Sequence, residues 1–509
     1  MSAPAPRLSR ATLASLAGKV RRPAYDIERV NPGIVHLGVG NFHRAHQAVF
    51  ADDALAAGEL DWGVTGVSLR SPAVHEALAP QDGLYTVIER DARAPAGRAR
   101  VIGALRETMV APRDPAAVVG RIADPATRIV TLTITEKGYC RGADGASLDT
   151  AAPEIAHDLR TPGAPASAVG LLHAAAVRRQ RAGARGFTVL SCDNLSGNGA
   201  LARRLLLEFD AAAGGAPGLA AWIERELAFP DAMVDRIVPH TTDEHRALAA
   251  SLLGVEDRWP VVTEPFVQWV VRDEFAAGRP RWEASGVQFV GDVAPWEAMK
   301  LRLLNAAHSC IAYLGNAAGA STVDAAVAIP ALREFVVAFW RDEAAPALPA
   351  PVVAQAEPYC ERLLERFANP ALGHRTRQIA MDGSQKIPLR LLPTLREARR
   401  AGRAAPRTEM GLAAWLRHLA GVTDAGERYD VDDPLAAALA HARRGAGDDP
   451  LAIAGAVMSL REVFGADLAA DAALHARVGA QLRALVEHGA VGALERLGAT
   501  LAGVRAVRT

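Results

Sequence analysis

The 509-residue chain contains little cysteine: only Cys140, Cys192, Cys310 and Cys360 are present. No two of them are spaced as CxxC, and four thiols in so long a chain are too few for a disulfide framework. The sequence therefore offers no obvious ligand set for a structural zinc ion, and reduced thiols in the cytoplasm are the simple interpretation.

Long hydrophobic runs are also absent. The sequence has no stretch of about 18 uncharged apolar residues, which a membrane-spanning helix would require. Residues 1–20 lack the apolar segment of a secretory signal. We therefore expect a cytoplasmic protein that does not contact a membrane. The role of residues 1–30, a leader that contains proline and arginine, stays open.

The chain has no excess charge of either sign, because 57 Lys and Arg residues balance 57 Asp and Glu residues. A broad basic surface that would bind phosphate backbones is therefore not expected, and we predict a small-molecule substrate and no nucleic acid. Hydrophobic residues make up 50% of the chain. This length and composition suit about two to four domains with large cores.

The first part of the chain has the pattern of an α/β fold. Strand-like runs span residues 33–40 and 62–69, and their separation of about thirty residues is that of a βαβ unit. Similar runs at 128–135 and 186–192 extend the pattern to an open, mostly parallel sheet with helices on both faces. We predict a Rossmann-like domain over residues 1–290.

Beyond that point the chain is rich in Ala, Leu and Arg at helical spacing. We therefore predict a mainly α-helical second domain over residues 291–509. The boundary near residue 290 is open, because segments 259–271 and 286–290 could still belong to a sheet.

A glycine loop follows the first predicted strand and opens a helix, in the run Gly38-Val39-Gly40-Asn41-Phe42-His43. Such a context lets backbone N–H groups and a helix N-terminus meet a pyrophosphate. A histidine stands where GxGxxG has its third glycine, so a plain tight turn is the alternative. His43 and His46 share a helix face, but no third ligand accompanies them, which favours packing over metal binding.

The second predicted strand ends in Ser68-Leu69-Arg70-Ser71. NAD enzymes often place an acidic residue there to bind the ribose 2′-hydroxyl, whereas an arginine there favours a 2′-phosphate. Arg70 is therefore a candidate cofactor contact, together with the loop residues Gly38 to Phe42. From the residues alone, NAD and NADP both remain open.

Three polar residues stand out on the predicted amphipathic helix 296–314. At about 100° per residue, Asn305 lies about 140° and His308 about 80° around the helix from Lys300. A lysine on an apolar arc favours a lowered pKa, as a general base for an alcohol proton needs. Asn305 is suited to stabilise a developing alkoxide. The alternative is an exposed lysine, a surface asparagine and a buried structural histidine.

Other polar residues follow predicted strands, where ligands bind in open α/β sheets. Asn194 lies in the run SCDNLSGNG after the strand at 186–192, and Lys137 follows the strand at 128–135. Asp235 and Arg236 lie among apolar neighbours, and their environment could equally be structural. Each of these signals alone is weak.

Seven motifs together resemble the long-chain mannitol dehydrogenase family, in the same order and over residues 33–489. They are GVGNFHRAHQ (38–47), TITEKGY (133–139), SCDNLSGNG (191–199), FPDAMVDRIVP (229–239), EPFVQWV (264–270), MKLRLLNAAHS (299–309) and DGSQKIP (382–388). The resemblance implies a metal-independent, NAD(P)-dependent dehydrogenase acting on CH–OH groups. It also implies a Rossmann-like and a helical domain with the active site in the cleft between them, and a monomer.

The resemblance also implies roles for single residues. Lys300 becomes the general acid/base, and Asn194 and Asn305 become the pair that polarises the reacting oxygen. His308 becomes a substrate-positioning residue. Asp235 and Lys386 become substrate-pocket residues.

The family divides by substrate, because a uronate carboxylate needs a cation in the pocket whereas a neutral sugar does not. Lys137 and Arg390 are candidates for that cation. We expect a fructuronate reductase that interconverts D-mannonate and D-fructuronate. The alternative is a mannitol 2-dehydrogenase that interconverts D-mannitol and D-fructose. A non-catalytic nucleotide-binding protein is a remote third possibility.

Overall fold

The computed structural model describes residues 6–142 and 144–506. They form two compact units, one ending at Ala294 and one beginning at Pro295. The first unit holds every strand found in the described chain, and the second is helical. The sequence placed the boundary near residue 290.

The first unit contains three sheets. Its strands are β1 Pro32–Leu37, β2 Gly63–Ser68, β3 Tyr85–Asp91, β4 Ala94–Ile102, β5 Leu105–Val110, β6 Ile129–Leu132, β7 Thr188–Ser191, β8 Ala232–Asp235, β9 Val261–Thr263, β10 Gln268–Arg272 and β11 Gln288–Val290.

The main sheet is entirely parallel and has the strand order β5-β2-β1-β6-β7. Strands β1, β2, β6 and β7 of this sheet are almost wholly buried, as expected when helices cover both faces of a parallel sheet. The chain runs outward from β1 in both directions. The carboxyl ends of β1 and β6 therefore flank the topological switch point, where open α/β sheets bind their ligands.

The helices of this unit form two core layers with the main sheet. They are α1 Asn41–Ala45, α2 Gln47–Ala56, α3 Ala73–Leu78, α4 Pro115–Ala123, α5 Thr135–Gly138, α6 Pro153–Arg160, α7 Ala168–Arg181, α8 Asn198–Ala212, α9 Leu219–Glu226 and α10 Asp243–Leu253. Short 3₁₀ turns lie at Arg10–Ser15, Ile27–Arg29, Ala79–Gln81 and Trp282–Ser285.

Two smaller sheets complete the unit, in the orders β4-β3-β9 and β11-β10-β8. The segments that left the boundary open therefore carry strands, but in separate sheets. The leader also packs on this unit, since Leu8, Leu16 and Val20 are at most 6% exposed.

The helix that the glycine loop opens is present, but it is divided into two. The backbone leaves the helical region at His46, with φ −123° and ψ −91°, which separates α1 from α2. The His46 imidazole donates to the Gln268 carbonyl at 2.9 Å. This contact with β10 comes from residues that are distant in the sequence.

The second unit is built from helices, with a further 3₁₀ turn at Ala345–Ala347 and another at Pro370–Leu372. Its α-helices are α11 Ala294–Met299, α12 Ala306–Ala317, α13 Val323–Val327, α14 Pro330–Phe339, α15 Ala350–Val353, α16 Ala356–Phe367, α17 Thr376–Ala380, α18 Gly383–Arg390, α19 Leu392–Arg400, α20 Pro406–His418, α21 Ala436–Gly445, α22 Pro450–Met458, α23 Arg461–Ala469 and α24 Ala472–Ala506. Glycines with non-helical backbone interrupt α23 at Gly465 and α24 at Gly489.

The amphipathic helix predicted over 296–314 is present as a helix, but it is neither regular nor amphipathic. Between α11 and α12 the backbone forms a π-helix over Lys300–Asn305. Every residue of α12 is buried, because other helices pack against it on all sides, including α13, α17 and α20. A helix surrounded in this way has no solvent face and need not be amphipathic.

Candidate active site

The loop between β1 and α1 makes a tight turn at Gly38. Its φ of +95° suits glycine, and a Cβ there would lie 2.2 Å from the Thr133 carbonyl oxygen. The Gly40 N–H donates to the Gly38 carbonyl at 2.7 Å. Gly38 is therefore required by the protein's own packing against the end of β6.

Gly40 differs from Gly38, because the protein leaves room beside it. A Cβ at Gly40 would meet only the Gly38 carbonyl oxygen, at 3.8 Å. Gly40 also precedes α1 without a side chain to cap the first N–H groups of that helix. This open cradle at the switch point fits a pyrophosphate that approaches the backbone closely.

The side chains around the loop are used by the fold. Val39 is 3% exposed and belongs to the core. The Asn41 amide donates to the Pro239 carbonyl at 3.0 Å and accepts from Arg44 at 2.6 Å, and the Phe42 ring stacks on His46. The side chains of Val39 and Asn41 are therefore occupied, so these two residues can contact a cofactor only through their backbone.

The His43 ring lies under the loop and stacks on His36, with 3.4 Å between ring centroids. Burial lowers the pKa of His36 to about 3 and that of His43 well below its usual value, so both imidazoles are neutral. His36 is hydrogen-bonded to Thr131 and Thr133. In the described chain, no three His, Cys, Asp or Glu side chains come together as a potential metal site.

Arg70 lies on the loop that follows β2 and is exposed. Ser71 shapes this loop, because its hydroxyl accepts the Ala73 N–H at 3.2 Å. No acidic residue occurs between Ser68 and His75. The position that would meet the adenosine ribose therefore carries a cation and no carboxylate.

Asp193 ties the loop after β7 to the loop after β6. Its carboxylate accepts the N–H groups of Ile134 at 3.0 Å and Thr135 at 2.9 Å, and the Tyr139 hydroxyl at 2.9 Å. Thr135 has a φ of 61°, which is strained for a β-branched residue. Burial raises the pKa of the Asp193 carboxyl although all three hydrogen bonds act to lower it.

This arrangement places Asn194 and Lys137 at the same edge of the main sheet. Asn194 directly follows Asp193 and is exposed, and Lys137 is exposed on α5. Both lie at carboxyl ends of neighbouring parallel strands. Sequence analysis missed Asp193 as the residue that joins them, although the CDN motif contains it.

Asp235 is the last residue of β8 and is 4% exposed. The neighbouring Arg236 is structural: its guanidinium donates to the Ala45 and Glu264 carbonyls and pairs with Glu89 at 2.6 Å. Arg236 thereby fixes the chain beside Asp235.

In the second unit, the π-helix begins at Lys300 and ends at Asn305. Lys300 is 8% exposed and Asn305 is half-buried. The Ala306 N–H donates to the Leu301 carbonyl, five residues back. Residues five apart lie closer around the axis in a π-helix than in an α-helix, so Lys300 and Asn305 share a helix face more closely than an α-helix would allow.

His308 follows on α12 and is 8% exposed. Its ring lies 4.5 Å from the Phe367 ring and 5.5 Å from the His374 ring, measured between centroids. Burial lowers the pKa of His308 well below its usual value, and the nearby His374, Arg390 and Arg366 lower it further. Its Nε2 is buried and has no hydrogen-bond partner in the described chain, so it is free to accept or donate a hydrogen bond as a neutral ring.

Arg390, at the end of α18, lies beside the π-helix. Its Nη1 donates to the Ser309 hydroxyl at 3.1 Å and to the Asn305 carbonyl at 3.4 Å. Burial lowers the pKa of the guanidinium, while Tyr313 and Asp382 act to raise it. Within the described chain Arg390 forms no ion pair with a carboxylate, which is unusual for a charge with little solvent.

Lys386 lies one turn earlier on α18. Its Nζ donates to the carbonyls of Ile379, at 3.2 Å, and Met381, at 2.5 Å, and lies 3.8 Å from an Asp382 carboxylate oxygen. Lys386 therefore anchors the start of α18.

The structure thus groups the predicted residues by unit. The first unit brings the glycine loop, Arg70, Asn194 and Lys137 to one edge of the main sheet, and Asp235 ends a strand of a smaller sheet. The second unit brings Lys300, Asn305, His308 and Arg390 together around the π-helix, with Lys386 on the same helix as Arg390.

Both units match family models. Residues 32–284 match the mannitol dehydrogenase Rossmann domain, and residues 292–486 match the mannitol dehydrogenase C-terminal domain.

Similar proteins of known sequence include two from Escherichia coli (strain K12). An uncharacterised oxidoreductase is 44% identical over 461 residues, which cover 90% of this chain and 93% of that protein. A D-mannonate oxidoreductase is 42% identical over 477 residues, which cover 92% of this chain and 96% of that protein.

A similar solved structure is the mannitol 2-dehydrogenase of Pseudomonas fluorescens in a ternary complex with NAD and D-mannitol. It is 37% identical, covers 96% of this chain and 99% of its own, and superposes with a TM-score of 0.84.

Proposed function

This chain belongs to the mannitol dehydrogenase family of oxidoreductases, and we propose that it reduces D-fructuronate to D-mannonate with NADH, reversibly. Two findings support the assignment to this family of oxidoreductases: both family models match, and full-length relatives share about 40% identity. The substrate rests on a separate observation in the second unit.

That observation is the environment of Arg390. Its guanidinium donates to the backbone carbonyl of Asn305 and forms no ion pair with a carboxylate in the described chain, and Asp382 acts on it only from beyond ion-pair distance. A charge held in such a position gains stability from an anionic ligand, and arginine binds carboxylates through two parallel hydrogen bonds. A uronate supplies that carboxylate, whereas fructose and mannitol do not.

NAD is the proposed cofactor, with Gly38, Gly40 and the backbone of Val39, Asn41 and Phe42 around its pyrophosphate. The space beside Gly40 supports this assignment, as does the complex of the Pseudomonas relative with NAD. Arg70 is a cation where the ribose would lie, so use of NADP as well is part of the proposal.

The chemistry of the chain's own residues follows from their types and places. When bound, the nicotinamide supplies the hydride that reaches the carbonyl carbon. Lys300 delivers a proton from its Nζ to the carbonyl oxygen, and takes it back in the oxidative direction. Asn194 and Asn305 donate hydrogen bonds to that oxygen as negative charge develops on it.

The remaining site residues bind and orient the substrate. A neutral His308 offers its Nε2 to a substrate hydroxyl, and Asp235 accepts hydrogen bonds from others. Lys137, Arg390 and Lys386 supply positive charge, although the carbonyl contacts of Lys386 favour a supporting role for it.

A second candidate function is that of a mannitol 2-dehydrogenase, favoured by the similarity to the Pseudomonas enzyme in complex with D-mannitol. The buried carboxylate of Asp235 also suits the hydroxyl groups of a neutral polyol. The two functions differ in their substrates: a uronate needs a cation in the pocket to bind its carboxylate, and a neutral polyol does not.

The first experiment compares initial rates of NADH oxidation with D-fructuronate and D-fructose at equal concentrations, and then with NADPH. We expect a higher kcat/KM for fructuronate. A preference for fructose would assign the chain to polyol oxidation. If neither substrate is turned over although NADH binds, the chain is a non-catalytic nucleotide-binding protein.

The role of Arg390 is tested by an Arg390→Met variant. If the guanidinium binds the carboxylate, kcat/KM for fructuronate falls by about 10–100-fold more than that for fructose, the effect of losing a charge-assisted pair. Equal losses for both substrates would contradict carboxylate binding, since Arg390 would then act only through the backbone of Asn305. Arg403→Met is a matched control, because within the described residues the Arg403 guanidinium hydrogen-bonds only to the Pro346 carbonyl and to no residue of the proposed site.

A further inference from the structure

A tryptophan that no motif indicated, Trp340, donates a hydrogen bond to the helix between Lys300 and Asn305. We infer that Trp340 is a positioning residue, which holds the π-helical turn Lys300–Asn305 and so aligns the two polar groups at its ends. The inference rests on the proposed roles of Lys300 and Asn305, but its structural part can be tested separately.

The π-helix changes which residues share a face. In an α-helix the hydrogen bond joins residues four apart, and the fifth residue lies about 140° away around the axis. In a π-helix the bond joins residues five apart and each turn holds more residues, so the fifth residue lies much closer around the axis to the first than it does in an α-helix. The spacing of Lys300 and Asn305 is five, and the π-helix spans this interval.

Such a turn needs support, because π-helices are rare and an α-helix of the same sequence competes with it. Trp340 supplies that support: its buried indole Nε1–H donates to the Leu303 carbonyl at 2.8 Å. Both residues are at most 3% exposed.

The Trp340 ring also reaches the third polar residue of the site. It lies 5.9 Å from the Phe367 ring, which in turn lies 4.5 Å from the His308 ring. Trp340 therefore contacts the π-helix through its N–H and supports His308 through one aromatic neighbour.

Trp340 is itself held firmly. It begins a second π-helix, Trp340–Ala344, in which the Ala345 N–H donates to the Trp340 carbonyl. Glu343 in this turn accepts the N–H groups of Arg407 at 2.8 Å and Thr408 at 2.7 Å, at the start of α20. The indole is thus attached to the helical core independently of the first π-helix.

The test removes the N–H of Trp340 while keeping an aromatic ring, in Trp340→Phe. Trp415→Phe is the matched control, because Trp415 is equally buried in the same unit and its Nε1 has no partner in the described chain. Both variants lose the same side-chain volume from a buried position in the same unit. Only Trp340→Phe loses a hydrogen bond to the π-helix.

We expect kcat of Trp340→Phe to fall at least about tenfold, since a misplaced donor to the reacting oxygen costs up to about 10²–10³. Its KM for NADH should stay within about twofold, since the glycine loop lies in the other unit. Trp415→Phe should keep a kcat close to that of the wild type. Equal losses in both variants, or an unchanged kcat in Trp340→Phe, would overturn the inference.

A substitution of Trp340 by 3-benzothienylalanine guards against a folding defect, because it replaces only the N–H by sulfur. The crystal structure of this variant should show residues 300–305 in an α-helical register. A retained π-helix would overturn the inference whatever the activity. Absence of turnover in the wild type, by contrast, would contradict the proposed function. The helical register of residues 300–305 in this variant would still decide the inference about Trp340.

Discussion

Lys300 is the residue on which the proposed proton transfer depends. It is 8% exposed, at the start of the π-helix, on a segment whose neighbours Leu303 and Leu304 are buried. The ammonium group of such a side chain has little bulk water beside it. It can therefore exchange its proton with a bound substrate. No other lysine of the chain is in such a position, since Lys19 and Lys137 are exposed and Lys386 is bound to carbonyls.

We predict that Lys300→Ala lowers kcat by about 10²–10⁴-fold, the usual contribution of a general acid/base. The Kd for NADH, measured by fluorescence titration, should change little. Lys19→Ala serves as the control, because Lys19 is exposed in the leader. Turnover within threefold of the wild type in Lys300→Ala would exclude the assignment.

The two loop glycines allow a second residue-scale prediction. Gly38→Ala forces a Cβ to within 2.2 Å of the Thr133 carbonyl oxygen at a positive φ, whereas Gly40→Ala meets nothing closer than 3.8 Å. Gly38→Ala should therefore lower the thermal midpoint. Gly40→Ala should keep the midpoint but raise the KM for NADH at least about tenfold, because the methyl group occupies pyrophosphate space.

Calorimetry and NADH titration of both variants separate the two effects. If Gly40→Ala binds NADH as tightly as the wild type, the pyrophosphate does not approach this position.

At the scale of elements, the turn after β6 depends on one carboxylate. Asp193 accepts two successive N–H groups that hold Thr135 in a strained backbone conformation. The sequence could place both loops at the carboxyl ends of strands, but not the contact between them. That contact requires the parallel pairing of β6 with β7.

We predict that Asp193→Asn destabilises the first unit by about 1–3 kcal/mol, because an amide oxygen cannot replace both carboxylate oxygens and one of the two N–H groups loses a charged acceptor. Activity should also fall, since Asn194 and Lys137 lie on the two loops that Asp193 joins. Tyr139→Phe removes one hydroxyl donor and should cause a smaller loss. Urea unfolding and initial rates measure both, and equal stability of Asp193→Asn and the wild type would contradict the prediction.

The helices of the second unit show a limit of periodicity arguments. A spacing of 100° per residue assumes an α-helix throughout, and the run 296–314 contains nothing that signals a π-turn. The extra residue is accommodated because Trp340, 37 positions beyond Leu303, supplies a donor to its carbonyl. The local sequence therefore gives no indication that Trp340 is the hydrogen-bond partner of Leu303.

At the scale of the whole molecule, buried neutral histidines make stability depend on pH. Burial lowers the pKa of His36 to about 3 and that of His418 to about 4, against about 6.5 in the unfolded chain. Below pH 6.5 the unfolded state therefore binds more protons than the folded state, and the free energy of unfolding falls as the pH falls. His36 lies in the first unit and His418 in the second.

We predict that the free energy of unfolding drops between pH 7 and pH 5 by about 2 kcal/mol for each of these histidines, from a shift of about 1.5 pH units below the unfolded pKa. Urea unfolding at the two pH values measures the drop. His36→Asn should reduce it for the first unit. A stability that is constant from pH 7 to pH 5 would show that the imidazoles are not buried in neutral form.

The sequence by itself determined the family, the Rossmann-like and helical units, and the short list of polar residues, because these follow from hydrophobic periodicity and from motifs of contiguous residues. Both family models and the parallel sheet confirm this fold. Only the tertiary structure decided that Asn41 and Arg236 hold the backbone, that Asp193 joins two loops, and that Lys300 and Asn305 are aligned by a π-helix. Each of these depends on hydrogen bonds between residues far apart in the chain, and such bonds form only after the elements have packed.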